Sequence, residues 1–444
     1  MGLQQKLCPR LPELEKTDPV SLLMIRNVSF DTENKETPMK QRNQGLKFSV
    51  SFVGALAIGC GISVPAAAQA AATSAALNDT GVTFGADSTH GNYAACTGAE
   101  VDQQDCATGR DALAQAGQLV KVGAGPAGFD FSRVCNSGEL AGVAACPTLP
   151  ALGPGANDWA CTRDNATGLT WEIKTAEAGP RQRDNTFTQF SAAYNPSREM
   201  GSDSDAAGYL NAINAQRLCG ATDWRLPSRL ELLGIVHYGS APTANAIAAA
   251  QFPNPPSKLN KSVFWSGSAA AGTPANAWGV DFADGSAGDD NRSVYYALRL
   301  VRGAPLAGAE WLVAADGQEV KDSRSNLVWR RCAEGMAWTG STCTGTAGTF
   351  TWAEALLHAK ATAKSVAWRL PNIKELSSLV DDGRANPSIA VAGFPATPAA
   401  WFWSSTPDAS DAAYTWYVNF GTGYTGHHGF RTDRHALRLV RSGP

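Results

Sequence analysis

The sequence predicts an α+β protein made of two tandem copies of one domain, each with two helices and a small antiparallel sheet. Three observations carry this. The string "TDWRLPSRLELLGIVHYG" (222–239) recurs without gaps as "VAWRLPNIKELSSLVDDG" (366–383). Shorter strings flank both copies in the same order: "TGLTWE" (167–172) and "SNLVWR" (325–330) precede them, while "VFWSGS" (263–268) and "WFWSST" (401–406), "AWGVDFADG" (277–285) and "TWYVNFGTG" (415–423), then "ALRLVRG" (297–303) and "ALRLVRS" (436–442) follow. The offset of roughly 140 residues is the size of a domain rather than of a solenoid unit.

The first seventy residues stand outside this pattern. Met39 opens a stretch in which Lys40, Arg42 and Lys47 precede an apolar run from Phe48 to Val64 and the small-residue site Ala68-Gln69-Ala70. That is the form of a secretory signal peptide, 39–70, and makes 1–38 translated upstream sequence. Cys60, after Ala57-Ile58-Gly59, is a weaker lipid-anchor alternative. No later segment is long and apolar enough to span a bilayer. The expectation is an exported protein that is periplasmic, surface-bound or secreted.

Export changes the reading of cysteine. Cys8 and Cys60 fall in the leading stretch, which leaves Cys96, Cys106, Cys135, Cys146, Cys161, Cys219, Cys332 and Cys343. An even number suits an oxidising compartment. Local pairing gives 96–106, 135–146, 161–219 and 332–343, each stabilising by about 2–4 kcal/mol. No C-x-x-C occurs, so zinc is disfavoured and no cofactor is implied. Without residues 1–70 the chain has 29 basic and 34 acidic side chains, net −5. A mildly acidic exported chain is not an obvious nucleic-acid binder.

The elements follow in order. Residues 71–128 read as a loop-rich extension, with too few apolar residues for a convincing core of their own. "FDFSRV" (129–134) and "EWLVAAD" (310–316) are candidate opening strands. They place the first domain at 129–303, a linker of small residues at 304–308, and the second domain at 309–443. The first helix of each copy is "DAAGYLNAINAQRL" or the segment opening with Thr351-x-x-Glu354. The second starts at a capping box, Ser228 with Glu231 or Asn372 with Glu375. Leu232, Ile235 and Val236, and Leu376, Leu379 and Val380, keep helical spacing, and Gly239 and Gly383 are the expected stops. Trp224 and Trp368 are expected core anchors. Trp416, Val418 and Phe420, and Val280 and Phe282, alternate as strands do.

This set of strings resembles the Lcl C-terminal domain family, the C-terminal domain of a bacterial collagen-like adhesin. The resemblance covers about 129–303 and 309–443. The RLP-[ST/N]-x-x-E element is also similar to one in formylglycine-generating enzymes. Both resemblances imply a C-type-lectin-like fold, in which the opening strand of each domain pairs with its last strand, "ALRLVR". The adhesin resemblance implies binding of a glycan or other surface macromolecule, with self-association into an appendage as the alternative. The enzyme resemblance would require reactive cysteines.

Candidate chemistry lies in the late loops. Trp416, Tyr417, Tyr424, His427, His428, Arg431 and Asp433 fall close together, and aromatic faces with polar neighbours suit sugar or peptide recognition. Asp281, Asp284, Asp289, Asp290 and Asn291 offer hard oxygen ligands for calcium. Their spacing is not that of an EF-hand, and the EPN, QPD and WND triplets of calcium-dependent lectins are absent. The sequence also lacks G-x-S-x-G, H-E-x-x-H and a P-loop, which favours binding over catalysis.

Overall fold

The computed structural model describes residues 77–190, 205–240, 245–258, 261–306, 308–363 and 366–443. The signal-peptide and upstream expectations lie outside the described residues. The leading segment carries a hairpin, β1 (Ala86–Asp87) and β2 (Gly91–Asn92), and a helix, α1 (Gly109–Gln115). The first copy follows with β3 (Phe131–Cys135), β4 (Trp159–Asp164), β5 (Thr170–Glu172), α2 (Ala206–Ala215), α3 (Arg229–Gly234), β6 (Val263–Ala269), β7 (Asn276–Asp281), β8 (Ala287–Asn291) and β9 (Val301–Arg302). The second copy has β10 (Trp311–Val313), β11 (Glu319–Asp322), β12 (Leu327–Arg330), a hairpin of β13 (Ala337–Trp338) and β14 (Cys343–Thr344), α4 (Trp352–Thr362), α5 (Ile373–Ser377), β15 (Trp401–Pro407), β16 (Tyr414–Asn419), β17 (Thr425–Phe430) and β18 (Val440–Ser442). The architecture is α+β, with two helices and antiparallel sheet in each copy, and the four disulfides are those of local pairing.

Each copy has a four-stranded sheet, ordered β3-β4-β5-β9 or β10-β11-β12-β18. The expected pairing of opening and closing strands is therefore corrected. The opening strand lies at the far edge, and the closing strand pairs with the "TGLTWE" or "SNLVWR" strand, Trp171 opposite Val301 and Trp329 opposite Val440. Burial explains the order. Thr170, Trp171 and Glu172 are all buried, as a central strand requires, whereas Leu312 and Val313 are exposed, as on an edge.

The capping boxes form as expected. Ser228 Oγ accepts from Glu231 N, and Asn372 Oδ1 from Glu375 N. In both, the glutamate reaches back to the cap N–H at 2.8 Å. The arginine of RLP adds a role that spacing does not reveal. Arg225 and Arg369 grip Glu231 and Glu375 with both guanidinium nitrogens at 2.6–2.8 Å. Trp224 and Trp368 are buried. The helices, however, end at Gly234 and Ser377 rather than at Gly239 and Gly383. Val236 and Val380 leave the helix to bridge Ile247 and Ile389, Val236 within the core and Val380 partly buried against it. Gly239 serves a close approach instead: a Cβ there would lie 2.0 Å from the Gly81 carbonyl oxygen.

The late strands of both copies join in one six-stranded antiparallel sheet, ordered β15-β16-β17-β8-β7-β6. β8 and β17 are equivalent strands and meet at Thr425 opposite Ala287, so the copies face each other about a pseudo-two-fold axis. The largest hydrophobic cluster runs through both, from Leu232, Val236 and Val280 to Leu376, Trp416 and Val418. Two smaller clusters hold the long helices: Tyr209 and Ile213 with Trp265, and Trp352 and Leu356 with Trp403.

Candidate functional site at the seam between the copies

The duplicated helices differ where they meet. Arg229 and Lys374 have Ile373 and Leu230 as counterparts, and each cation crosses to the other copy. Arg229 Nε binds Asp382 at 2.7 Å and Nη2 donates to Ser377 O. Lys374 Nζ donates to Gly234 O at 2.8 Å. Tyr238 meets Trp416 edge-on at 4.7 Å.

His427 stands at the mouth of this seam. Its Nδ1 lies 2.5 Å from Asp408 and its Nε2 3.3 Å from Asp284 of the other copy, while Trp416 stacks on its ring at 5.0 Å. A cavity of about 130 Å³ opens beside it, lined by His237, Tyr238, Asp284, Asp408 and Trp416. Burial alone would lower the imidazole's pKa, but the hydrogen bonds and charges of Asp284 and Asp408 outweigh it and raise the value to about 9. His427 is thus an imidazolium with both nitrogens engaged, a cross-link rather than a free base. Its stabilising effect is fully present below its ordinary pKa near 6.5 and is lost as pH rises through about 9. His427→Gln is expected to cost about 2 kcal/mol at pH 6 and to flatten the fall in melting temperature between pH 6 and pH 9.5. An unchanged slope by calorimetry would refute this assignment.

The leading segment, read from sequence as a loop-rich lead-in to the first domain, instead straps the seam. Asp79, Asp105 and Asp111 are buried there with carboxylate oxygens within 4.8 Å of one another. Asp79 accepts from Asn372 Nδ2, Asp105 from Thr406 Oγ1 and Asp111 from Gly81 N and Gly128 N. Lys374 Nζ donates to Asp79 O at 2.7 Å. Burial and mutual repulsion push Asp79 far up and Asp105 up to about 7, burial also raises Asp111, and burial draws Lys374 down to about 7. All the carboxylate oxygens but Asp105 Oδ1 already accept an N–H or O–H, while the Lys374 ammonium donates to the Asp79 main-chain carbonyl rather than to a carboxylate. Sequence reasoning missed it, because a carboxylate's burial is set by what folds over it. Further out, Lys360 meets Glu100 and Asp102, and Arg431 donates to Asp87 O and Asn92 Oδ1.

The calcium candidates do not gather. Asp284 turns to His427, Asp289 accepts from Asn276 Nδ2 and Asp290 from the Tyr296 hydroxyl, while Asp281 caps its own turn at Ala283 N. Consecutive strand residues point to opposite faces, which separates them. Among the described residues the cluster close enough to share a cation is Asp79, Asp105 and Asp111.

The proposed aromatic loop is also divided. Trp416 and Tyr417 are buried, and Arg431 is buried against Trp352, holding the strap, so none of the three offers a free surface. The alternation that made 416–420 a strand also sends both rings into packed layers. Asp433 caps its own turn at Phe430 N, and His428 is exposed. Tyr424 is half-buried and lies over the seam, its ring close above Gly288 and Gly426. Trp401 is 39% exposed and stacked parallel on Tyr417 at 4.4 Å, with Tyr424 6.3 Å beyond Tyr417, while Phe430, 48% exposed, packs tilted on Tyr414. Trp401 opens the "WFWSST" string, whose first copy has Val263 in its place, a difference that could have marked it.

No curated protein and no solved structure matches the chain. The family described as Lcl C-terminal domain matches twice, over residues 160–302 and 318–441, the two copies of the repeat. With more than half of its length matched in tandem, the chain belongs to the Lcl C-terminal domain family.

Proposed function

We infer that the protein is an exported, adhesin-like binding protein whose two domains adopt a C-type-lectin-like fold and recognise carbohydrate on another surface. Family membership supports a surface role. Disulfides at all eight cysteines after Ala70 support export. They also favour binding over an oxidase related to formylglycine-generating enzymes, which would need reactive thiols. The observation that carries the carbohydrate reading is the Trp401 ledge, where an exposed ring is fixed from behind by the parallel, buried ring of Tyr417. A rigid aromatic face gains contact area with a sugar ring at little entropic cost.

A glycan array with the mature chain, with and without calcium, tests this reading. Trp401→Ala is expected to weaken the best glycan about tenfold, equivalent to roughly 1.4 kcal/mol, with the circular dichroism spectrum unchanged. A blank array, or full binding by the variant, would reject the ledge. Assembly of copies into an appendage is the second reading, favoured by the shared core that already fuses two domains.

A further inference from the structure

The two copies differ in what covers the RLP arginine and its glutamate. In the first copy the linker folds back over the start of α3. Leu306 N donates to Glu231 Oε1 at 3.0 Å, Arg225 Nη2 approaches Gly303 O at 3.4 Å, and the Leu306 side chain packs on the main core. The Glu231 side chain is 1% exposed beneath it. Arg369 and Glu375 repeat the ion pair in the second copy, yet Glu375 is 13% exposed. Among the described residues, its Oε1 accepts from Arg369 alone.

An open groove of about 980 Å³ lies in front of that pair. It runs between the 323–327 turn, Val366 and Ala367, the 441–443 stretch and the strap at Thr108 and Gly109. Its apolar contributions are Leu327 and the exposed Val366. Its other charges are already matched, Arg324 by Asp322 and Arg441 by Glu319. The groove therefore offers an acceptor for a backbone N–H, a guanidinium edge for a carbonyl, an apolar floor and little unpaired charge. Those features fit an extended, neutral peptide with one large aliphatic side chain. The chain shows that pose once already, in residues 303–306 on the first copy.

We propose that this groove of the second copy binds such a segment from a partner polypeptide, in the pose that residues 303–306 take on the first. The partner's N–H donates to Glu375 Oε1, the carbonyl three residues earlier faces Arg369, and its aliphatic side chain covers Leu327 and Val366. This site is separate from the aromatic ledge and does not rest on the carbohydrate reading.

The test titrates an acetylated, amidated GAPLAG peptide, copying residues 303–308, into the mature chain by calorimetry and heteronuclear NMR. Saturable one-to-one binding is expected, with shifts at Glu375, Val366 and Leu327. The same peptide with aspartate in place of leucine should bind at least tenfold more weakly. Val366→Arg, on an exposed position, should weaken the parent peptide by a similar factor. A chain extended by Leu-Ala-Gly-Ala after Pro444 should fill the groove itself, melt higher and bind the free peptide at least tenfold more weakly. Absence of saturable peptide binding, or binding undiminished by both the substitution and the extension, overturns the proposal. So does saturation of the groove by a sulfated oligosaccharide with no response to the peptide.

Discussion

Lys374→Leu is expected to destabilise the protein by about 3–5 kcal/mol at neutral pH, the usual result of removing one partner from a buried charge group. Leucine is the residue at the equivalent place in the first copy, Leu230, so the helix itself should accept it. What the variant removes is the ammonium beside three buried carboxylates, together with its hydrogen bonds to Asp79 O and Gly234 O. The penalty should depend on pH in a fixed sense. Asp79, Asp105 and Asp111 have raised pKa values, so their contribution is fully present below the ordinary carboxylate range and is lost as pH rises through about 7, the value for Asp105. Lys374 is lowered, so its own contribution is present above its ordinary 10.5 and is lost as pH falls through about 7. At pH 5 Asp105, raised to about 7, carries its proton and the cluster needs the ammonium least. Near pH 7 Asp105 gives up that proton while Lys374, lowered to about 7, still keeps part of its charge, and the ammonium counts most. Urea unfolding should therefore show a smaller loss at pH 5 than at pH 7, and limited proteolysis at pH 7 should cut first within the strap. Equal losses at both pH values, or none, would mean that the strap is held by contacts other than this cluster.

Much of this fold was legible because the repeat states its rules twice. Two capping boxes at equivalent positions are hard to produce by chance, and local contacts alone decide them. Local cysteine pairing succeeded for a similar reason at three of the four bridges, where spacings of 10 or 11 residues leave few partners within reach. Errors arose where the answer depends on long-range packing. Whether a strand is central or an edge depends on what lies on both its faces, and "FDFSRV" and "TGLTWE" look equally strand-like in one dimension. Trp416 and Trp401 are both tryptophans on strands, yet one is core and the other surface, because neighbouring layers cover one and not the other. His427 and Asp284 were each singled out, for different chemistry and in different copies. Only the β8–β17 junction joins them. The strap was the largest omission. Its few apolar residues gave no sign of a core of its own, yet Val82, Phe84 and Cys106 join the main core, and polar contacts to both copies add to the anchoring.

The second large effect concerns the Cys161–Cys219 bridge. Replacing both cysteines by serine is expected to cost about 4 kcal/mol, since the bridge closes a loop of 58 residues and the denatured chain gains that freedom. The Cys332–Cys343 bridge closes 11 residues, and its loss should cost about 3 kcal/mol on the same reasoning. Position adds to the difference. Cys161 lies on β4 and Cys219 in the turn before the WRLP string, both in the cluster around Trp224 and Trp265, so the bridge ties sheet to helix entry through the core. The second copy manages without a counterpart: Glu319 stands where Cys161 would, on a strand that carries the Arg441 ion pair at the surface. The first copy should accordingly become the weaker half. The Cys161→Ser, Cys219→Ser double variant should melt about 10 °C lower, and hydrogen exchange should show β4 and α2 opening while α4 and β15 stay protected. If both copies lose protection together, the shared core couples them so tightly that neither has a stability of its own, and the bridge serves the whole molecule rather than one domain.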